Sequence, residues 1–190
     1  MILIIDCGYL NIYELENLVD RFDDYRTVAL FDIEEMTAPF DGIIISNAQL
    51  VLNEQSIALY KEKIDYLLSY KKPVLGIGFG HLLIGVSFGA FYSPQNFGSD
   101  TYEIALTSAS PLLKKLREDL TLIKDNTGSI SIPPGFELLA SSDNCINEGM
   151  QHKELPIFGV QFLPERSGNQ GAIIIENFVN ISLHGMTKES

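Results

Sequence analysis

Val74-Leu75-Gly76-Ile77 runs directly into Gly78-Phe79-Gly80, and His81 to Phe88 follows with the make-up of a helix. A short, unbroken apolar run is what a strand buried on both faces requires. The glycines after it permit a sharp turn, and Gly85 and Gly89 let the next helix pack closely. The stretch therefore predicts strand, tight turn and helix in quick succession. In an open parallel sheet such a turn stands at the carboxyl ends of the strands, where reactive side chains gather.

The rest of the chain extends this unit in both directions. Towards the amino terminus, Ile2 to Ile5 reads as a buried strand ending at Asp6-Cys7-Gly8. Ile12, Leu15, Leu18, Val19 and Phe22 recur at helical steps and predict a helix over about 11–22. Thr27 to Phe31 reads as a second strand, and Asp41-Gly42 leads into a third, Ile43-Ile44-Ile45, ending at Ser46. Ile57, Tyr60, Ile64, Leu67 and Leu68 mark an amphipathic helix over 53–70, with Asn53 as N-cap and Lys71-Lys72-Pro73 as its stop. The second half changes character. Tyr102 to Thr107, Thr121 to Lys124, Glu137 to Ala140 and Ile157 to Phe162 read as strands between turn-rich loops such as Pro133-Pro134-Gly135. A last helix carries Ile173, Ile174, Phe178, Val179 and Ile181. The order predicts one α/β domain over 1–190, with a mostly parallel sheet and a small antiparallel portion.

Composition narrows the functions open to such a fold. Apolar residues form 46% of the 190, a globular proportion, with no repeat or low-complexity tract. The apolar runs are far shorter than the roughly 20 residues that span a bilayer. The start MILIIDCG carries no basic leader, so a cytoplasmic, non-membrane protein is expected. Twenty-five acidic against 13 basic residues give a net charge of −12, which repels nucleic-acid phosphates and anionic lipids. Cys7 and Cys145 are the only cysteines, with no CxxC pair and three histidines, so neither disulfide framework nor zinc site is expected.

Gly76-Ile77-Gly78-Phe79-Gly80-His81 resembles the class I glutamine amidotransferase signature G-I-C-[YLF]-G-[HM]-Q, and Gly159-Val160-Gln161-Phe162-Leu163-Pro164-Glu165 is similar to that family's G-V-Q-F-H-P-E. The order and spacing of the two motifs, and Asp41 to Ser46 before them, extend the resemblance over nearly the whole chain. Within the family the chain most resembles the small, separately encoded glutaminase subunit of archaeal-type GMP synthases, through Tyr102 to Thr107, Pro134 to Ala140 and Ser142-Asp143. The resemblance implies a three-layer α/β/α fold of flavodoxin-like type. It also implies that an ordinary member passes ammonia from glutamine to a synthetase partner, with no cofactor.

That chemistry needs a thiolate to attack the amide, an imidazole to carry the proton and a carboxylate to orient the imidazole. Carried over residue by residue, the resemblance puts Gly78 at the nucleophile position, Leu163 at the histidine position and Glu165 at the acid. No intact catalytic set is expected, because glycine and leucine have no atom for either task. The supporting parts differ too. The family's S-G-G-P turn appears as Ser46-Asn47-Ala48-Gln49, and the Gln after the elbow is Leu82. Where related glutaminases carry His-x-Asp, this chain has Asp125-Asn126-Thr127-Gly128-Ser129. A vestigial pocket of Asn47, Ala48, Gln49, Phe79, His81, Leu82 and Gln161 is thus expected. Glycine at an elbow also relieves the roughly 1–3 kcal/mol of strain that another residue holds there.

Cys145 and His152, on adjacent strands or a turn, are the candidates for a substitute pair, but the resemblance sets them away from the elbow. His81 reads as a helix-start residue and Glu165 as a hydrogen-bonding or helix-start carboxylate. Gly8-Tyr9-Leu10-Asn11 and Ser167 to Gly171 match no phosphate-cradling spacing and read as turns. Two functions remain. One is a non-catalytic homologue that binds a synthetase-type subunit or a small molecule. The other is an enzyme of altered chemistry using Glu165, His81 or Cys145 as acid or base.

Overall fold

The computed structural model describes residues 1–35, 39–117 and 120–185. Its first half runs β1 (Ile2–Asp6), α1 (Ile12–Val19), β2 (Tyr25–Ala29), β3 (Gly42–Ile45), α2 (Glu54–Leu68), β4 (Val74–Ile77) and α3 (Phe79–Ser87). The second runs β5 (Tyr92–Pro94), β6 (Asp100–Leu106), β7 (Leu120–Lys124), β8 (Gly128–Ile130), β9 (Phe136–Ser142), β10 (Cys145–His152), β11 (Ile157–Val160) and α4 (Gly168–His184). Nine strands join in the order β2-β1-β3-β4-β11-β10-β9-β6-β7. Pairing is parallel from β2 to β11 and antiparallel from β11 to β7, while β5 and β8 form a separate antiparallel pair. Among the described residues no helix is long and apolar enough to cross a membrane.

Alternation along each buried strand assigns its side chains to two layers. Ile2 and Ile4 of β1, with Leu75 and Ile77 of β4, meet Leu15 and Val19 of α1 and Ile174, Ile175 and Phe178 of α4. Leu3, Ile5 and Val74 face the other way, onto Ile64 and Leu67 of α2 and Leu82 and Leu83 of α3. A strand covered on both sides has no polar face. That is why these segments read as unbroken apolar runs.

Several boundaries differ from expectation for identifiable reasons. The second strand ends at Ala29, and Leu30–Glu35 is a 3-10 turn. Its buried Leu30 and Ile33 are spaced by three, the period of that helix. Helix α1 stops at Val19, although Phe22 still packs against the same core. The strand expected to run to Phe162 ends at Val160. Asn53 caps α2 as expected: its side chain accepts from the Ser56 N–H at 2.9 Å, and Ser56 Oγ accepts from the Asn53 N–H at 2.9 Å. Ser167 to Gly171 is not a plain turn, because α4 starts at Gly168. A Cβ on Gly171 would lie 1.9 Å from the Pro164 carbonyl oxygen, so glycine is what lets α4 approach so closely.

Candidate functional site at the strand–helix elbow

Gly78 links β4 to α3 with φ 54° and ψ −108°, in the positive-φ region that only glycine enters cheaply. Its N–H donates to the Val160 carbonyl at 2.8 Å, tying the elbow to the end of β11. Beneath it the backbones touch: a Cβ on Gly80 would lie 2.3 Å from the Ile45 carbonyl oxygen.

The space above Gly78 belongs to Asn47, from the loop after β3. A Cβ added to Gly78 would come within 2.3 Å of Asn47 Oδ1. That oxygen accepts from the Phe79 N–H at 2.9 Å, and Asn47 Nδ2 donates to the Asp125 carbonyl at 3.1 Å. Asn47 is fully buried and its loop is pinned: Ser46 Oγ accepts from the Cys7 N–H and donates to the Asn47 carbonyl, each at 3.0 Å. A polar strap continues outward. Gln49 Nε2 donates to Asp125 Oδ1 at 2.8 Å, Thr127 Oγ1 donates to the Leu50 carbonyl, and Arg166 Nη1 donates to Asp125 Oδ2 at 3.3 Å and Ser99 Oγ at 3.1 Å. Asn126 Nδ2 donates to the Gln161 carbonyl and Gln161 Nε2 to the Gly128 carbonyl, both at 2.6 Å. The 125–128 loop is therefore the second wall of the site. Its sequence signal was only a position, since the loop's contacts to Asn47 and Gln161 Nε2 run through its backbone carbonyls and its side-chain contacts reach distant segments.

On the other side Leu163 is fully buried, with its N–H donating to the Ile123 carbonyl at 2.7 Å. Glu165 lies in the 3-10 turn Pro164–Arg166, and neither carboxyl oxygen has a hydrogen-bond partner. The buried Tyr9 hydroxyl lies beside it, close enough to act on the carboxyl though without a hydrogen bond of ordinary geometry. Loss of water pushes the Glu165 carboxyl up to about 7; its own backbone N–H and the Tyr9 hydroxyl oppose the rise, Glu14 adds to it, and Arg166 opposes it. Burial likewise raises the Tyr9 hydroxyl, with Glu165 adding to it. The loop that reads as a plain turn at Gly8-Tyr9 thus delivers a side chain to the acid.

This elbow, at the ends of parallel strands and sandwiched by helices, coincides with a sequence match. The glutamine amidotransferase class-I profile matches residues 3–181. The chain belongs to the class I glutamine amidotransferase family. It is 31% identical to a GMP synthase [glutamine-hydrolyzing] subunit of Pyrococcus furiosus, over 95% of this chain and 98% of that one. It is 34% identical to the protein of the same name from Methanocaldococcus jannaschii, over 82% and 81%. In fold it is similar to a Thermoplasma acidophilum structure described as a GMP synthase subunit, with a TM-score of 0.83, 24% identity and coverage of 96% and 93%. A Thermotoga maritima glutamine amidotransferase superimposes with a TM-score of 0.68, 16% identity and coverage of 98% and 85%.

On this amidotransferase scaffold the remaining candidates are spread out. Phe79, Ala48 and Leu82 are fully buried in the core between the sheet and α2–α3, while Gln49 is exposed. His81 is also fully buried. A Cβ on Gly159 would lie 2.5 Å from its Nδ1, and neither ring nitrogen has a hydrogen-bond partner. Burial lowers its imidazole to about 3, which keeps the ring neutral. Cys145 and His152 do not lie on adjacent strands or a turn. They are opposite ends of β10, and seven residues of strand put them roughly 20 Å apart. Burial raises the Cys145 thiol to about 11, and His152 packs between Phe88 and Phe136 while its Nδ1 accepts from the Glu154 and Leu155 N–H groups. Among the described residues no cluster of His, Cys, Asp or Glu side chains could hold a metal ion.

One continuous strand over β10 was not expected, because Asn147 and Glu148 are buried and break any apolar alternation. Glu148 is fully buried, paired with Lys124 Nζ at 2.5 Å and accepting from Ser142 Oγ at 2.5 Å. The ammonium also lies 4.1 Å from the ring centres of Phe97 and Tyr102. A pair like this becomes legible only once β7 and β10 are known to face each other.

Proposed function

We propose that this protein is a catalytically degenerate class I glutamine amidotransferase, built like the glutamine-hydrolyzing subunit of a GMP synthase, that acts by binding and not by hydrolysing glutamine. The observation that carries this reading is Asn47. Its carboxamide fills the volume in which a nucleophile on residue 78 would begin, and it occupies the Phe79 N–H. In an acyl-transfer elbow the N–H after the nucleophile stabilises the oxyanion. Here it already has a partner, and Gly78 and Leu163 offer neither attacking atom nor proton carrier. Losing one member of such a unit costs orders of magnitude in rate, and the losses do not add independently.

The binding role has two candidate partners: a synthetase-type subunit, in keeping with the relatives being named as subunits of a synthase, or a small molecule at the vestigial pocket. Residues 1–190 act as one domain in this reading, in the cytoplasm, with no cofactor. Ammonia release from glutamine, measured with and without the synthetase subunit of the same organism, tests it. We expect background in both cases; turnover like that of an active glutaminase overturns the proposal.

One observation favours a second reading of altered chemistry. A carboxyl raised to about 7, as at Glu165, has the poise of an acid–base catalyst. Against it, Phe79, Leu82 and Leu163 are fully buried, and both Glu165 oxygens are sealed from water. The first reading therefore stands ahead.

A further inference from the structure

Away from the elbow, two grooves meet at the Asp143-Asn144 turn between β9 and β10. The first has a cavity volume of about 910 Å3 and is lined by β6, by Leu120 and Thr121 of β7, and by Ser141 to Asn144. Its charged lining residues are Asp100, Glu103 and Asp143, all exposed, and no Lys or Arg lines it. Among the described residues none of the three forms an ion pair. Strand β6 pairs with β7 along Asp100–Ile104 but with β9 only at Ala105 and Leu106, so Asp100–Ile104 has no strand partner on the β9 side. The second groove, of about 550 Å3, runs between β5, β8 and the start of β10. It presents Phe91, 84% exposed, Ile146, 74% exposed, and Ile132, 40% exposed. Asn144 lines both grooves, so they adjoin at that residue.

Large apolar side chains left together in water mark an interaction surface, and an unpaired strand edge invites an extended segment. We infer that this double groove docks an extended segment of a partner protein, one in which Lys or Arg side chains adjoin large apolar ones. Charge complementarity decides the occupant: the segment's cations meet Asp100, Glu103 and Asp143, and its apolar side chains cover Phe91, Ile132 and Ile146. A second copy of this chain fits poorly, since each copy carries a net charge of −12 and would bring like charge to the acidic groove. The surface uses no residue of the elbow and stands or falls apart from the proposed loss of catalysis.

The test uses the intact chain and a fluorescent peptide that alternates Lys with Leu and Phe. Matched peptides replace each Lys with Glu, or each Leu and Phe with Ser. In near-physiological salt we expect saturable binding of the first peptide and at least about tenfold weaker binding of the other two. E103K/D143K and F91S/I146S, at exposed positions, should each weaken binding by about tenfold, while D20K/E154K, an equal charge change elsewhere, should alter it by less than about twofold. Hydrogen exchange should slow at β6 and at the 143–144 turn. The inference is overturned by equal losses in E103K/D143K and D20K/E154K, by protection elsewhere, or by no saturable binding. Self-association that F91S/I146S abolishes also overturns it, because a second copy would then own the surface. Circular dichroism checks that the variants fold, and should E103K/D143K unfold, F91S/I146S and the salt dependence of peptide binding still decide the matter.

Discussion

Gly78 and Glu165 flank one site, yet their surroundings differ in kind. Around Gly78 the polar groups at the turn itself are paired: Asn47 bridges the Phe79 N–H and the Asp125 carbonyl, and the strap from Gln49 to Arg166 closes over them. Around Glu165 much less has been supplied. The Tyr9 hydroxyl adjoins its carboxyl, neither makes a hydrogen bond of ordinary geometry, and Leu163 is fully buried. In the proposed reading the nucleophile side has been rebuilt as structure, whereas the acid side keeps a group whose partner is gone. A buried polar group without a partner is a cost, so the two sides should answer mutation oppositely.

The largest effect should come from putting a side chain back at the elbow. Gly78→Cys imposes a positive φ on a non-glycine residue and drives Cβ into Asn47, together about 2–6 kcal/mol of lost stability. Urea unfolding measures it. Adding Asn47→Gly should return the steric part, giving a positive coupling in a double-mutant cycle; strict additivity would show that Asn47 does not hold that space.

Next in size is the acid side. The Glu165 carboxyl rises from an ordinary 4.5 to about 7 on folding, so the native state holds its proton where the unfolded chain has released it. The stability this gives is fully present below about 4.5 and is lost as pH rises towards 7. At about 1.4 kcal/mol for each pH unit, the fall amounts to about 3 kcal/mol. Glu165→Gln should flatten that slope and make the protein more stable than the parent above pH 7. A parallel slope in the variant would mean that another group titrates there. Asn47→Ala comes third, at about 1–3 kcal/mol, since it strands the Phe79 N–H and the Asp125 carbonyl inside the fold.

How much of this was legible beforehand follows from the range of the interactions. The parallel half was readable because Ile2–Ile5, Ile43–Ile45 and Val74–Ile77 are local apolar runs, and the glycines of the elbow are local too. Leu163 and Gly78 could be placed because both sit inside short motifs. Asn47 was read as a departure from a pattern, but its work depends on Asp125, 78 residues away, through a backbone carbonyl that no side chain reports. Tyr9 beside Glu165 and Lys124 against Glu148 are likewise unions of distant segments. As one continuous strand, β10 was hidden for the same reason: its buried polar residues make sense only with the strands they face.

The smallest expected effect is also the one that bears most directly on the proposed loss of catalysis. G78C/L163H restores a thiol and an imidazole next to Glu165, and by side-chain chemistry alone it recreates a catalytic set. Ammonia release should nevertheless stay close to background. The Phe79 N–H that must receive the oxyanion is already bonded to Asn47, the cysteine would share its volume with that carboxamide, and Ala48, Gln49 and Leu82 still differ from the family pattern. Losing one oxyanion donor alone costs about 100- to 1,000-fold in turnover. Adding Asn47→Gly to the pair frees that donor and should raise the rate above that of G78C/L163H without restoring full turnover. Full glutaminase turnover from G78C/L163H alone would show that Asn47 yields its place freely, and that the rebuilt side of the elbow is no more committed than the abandoned one.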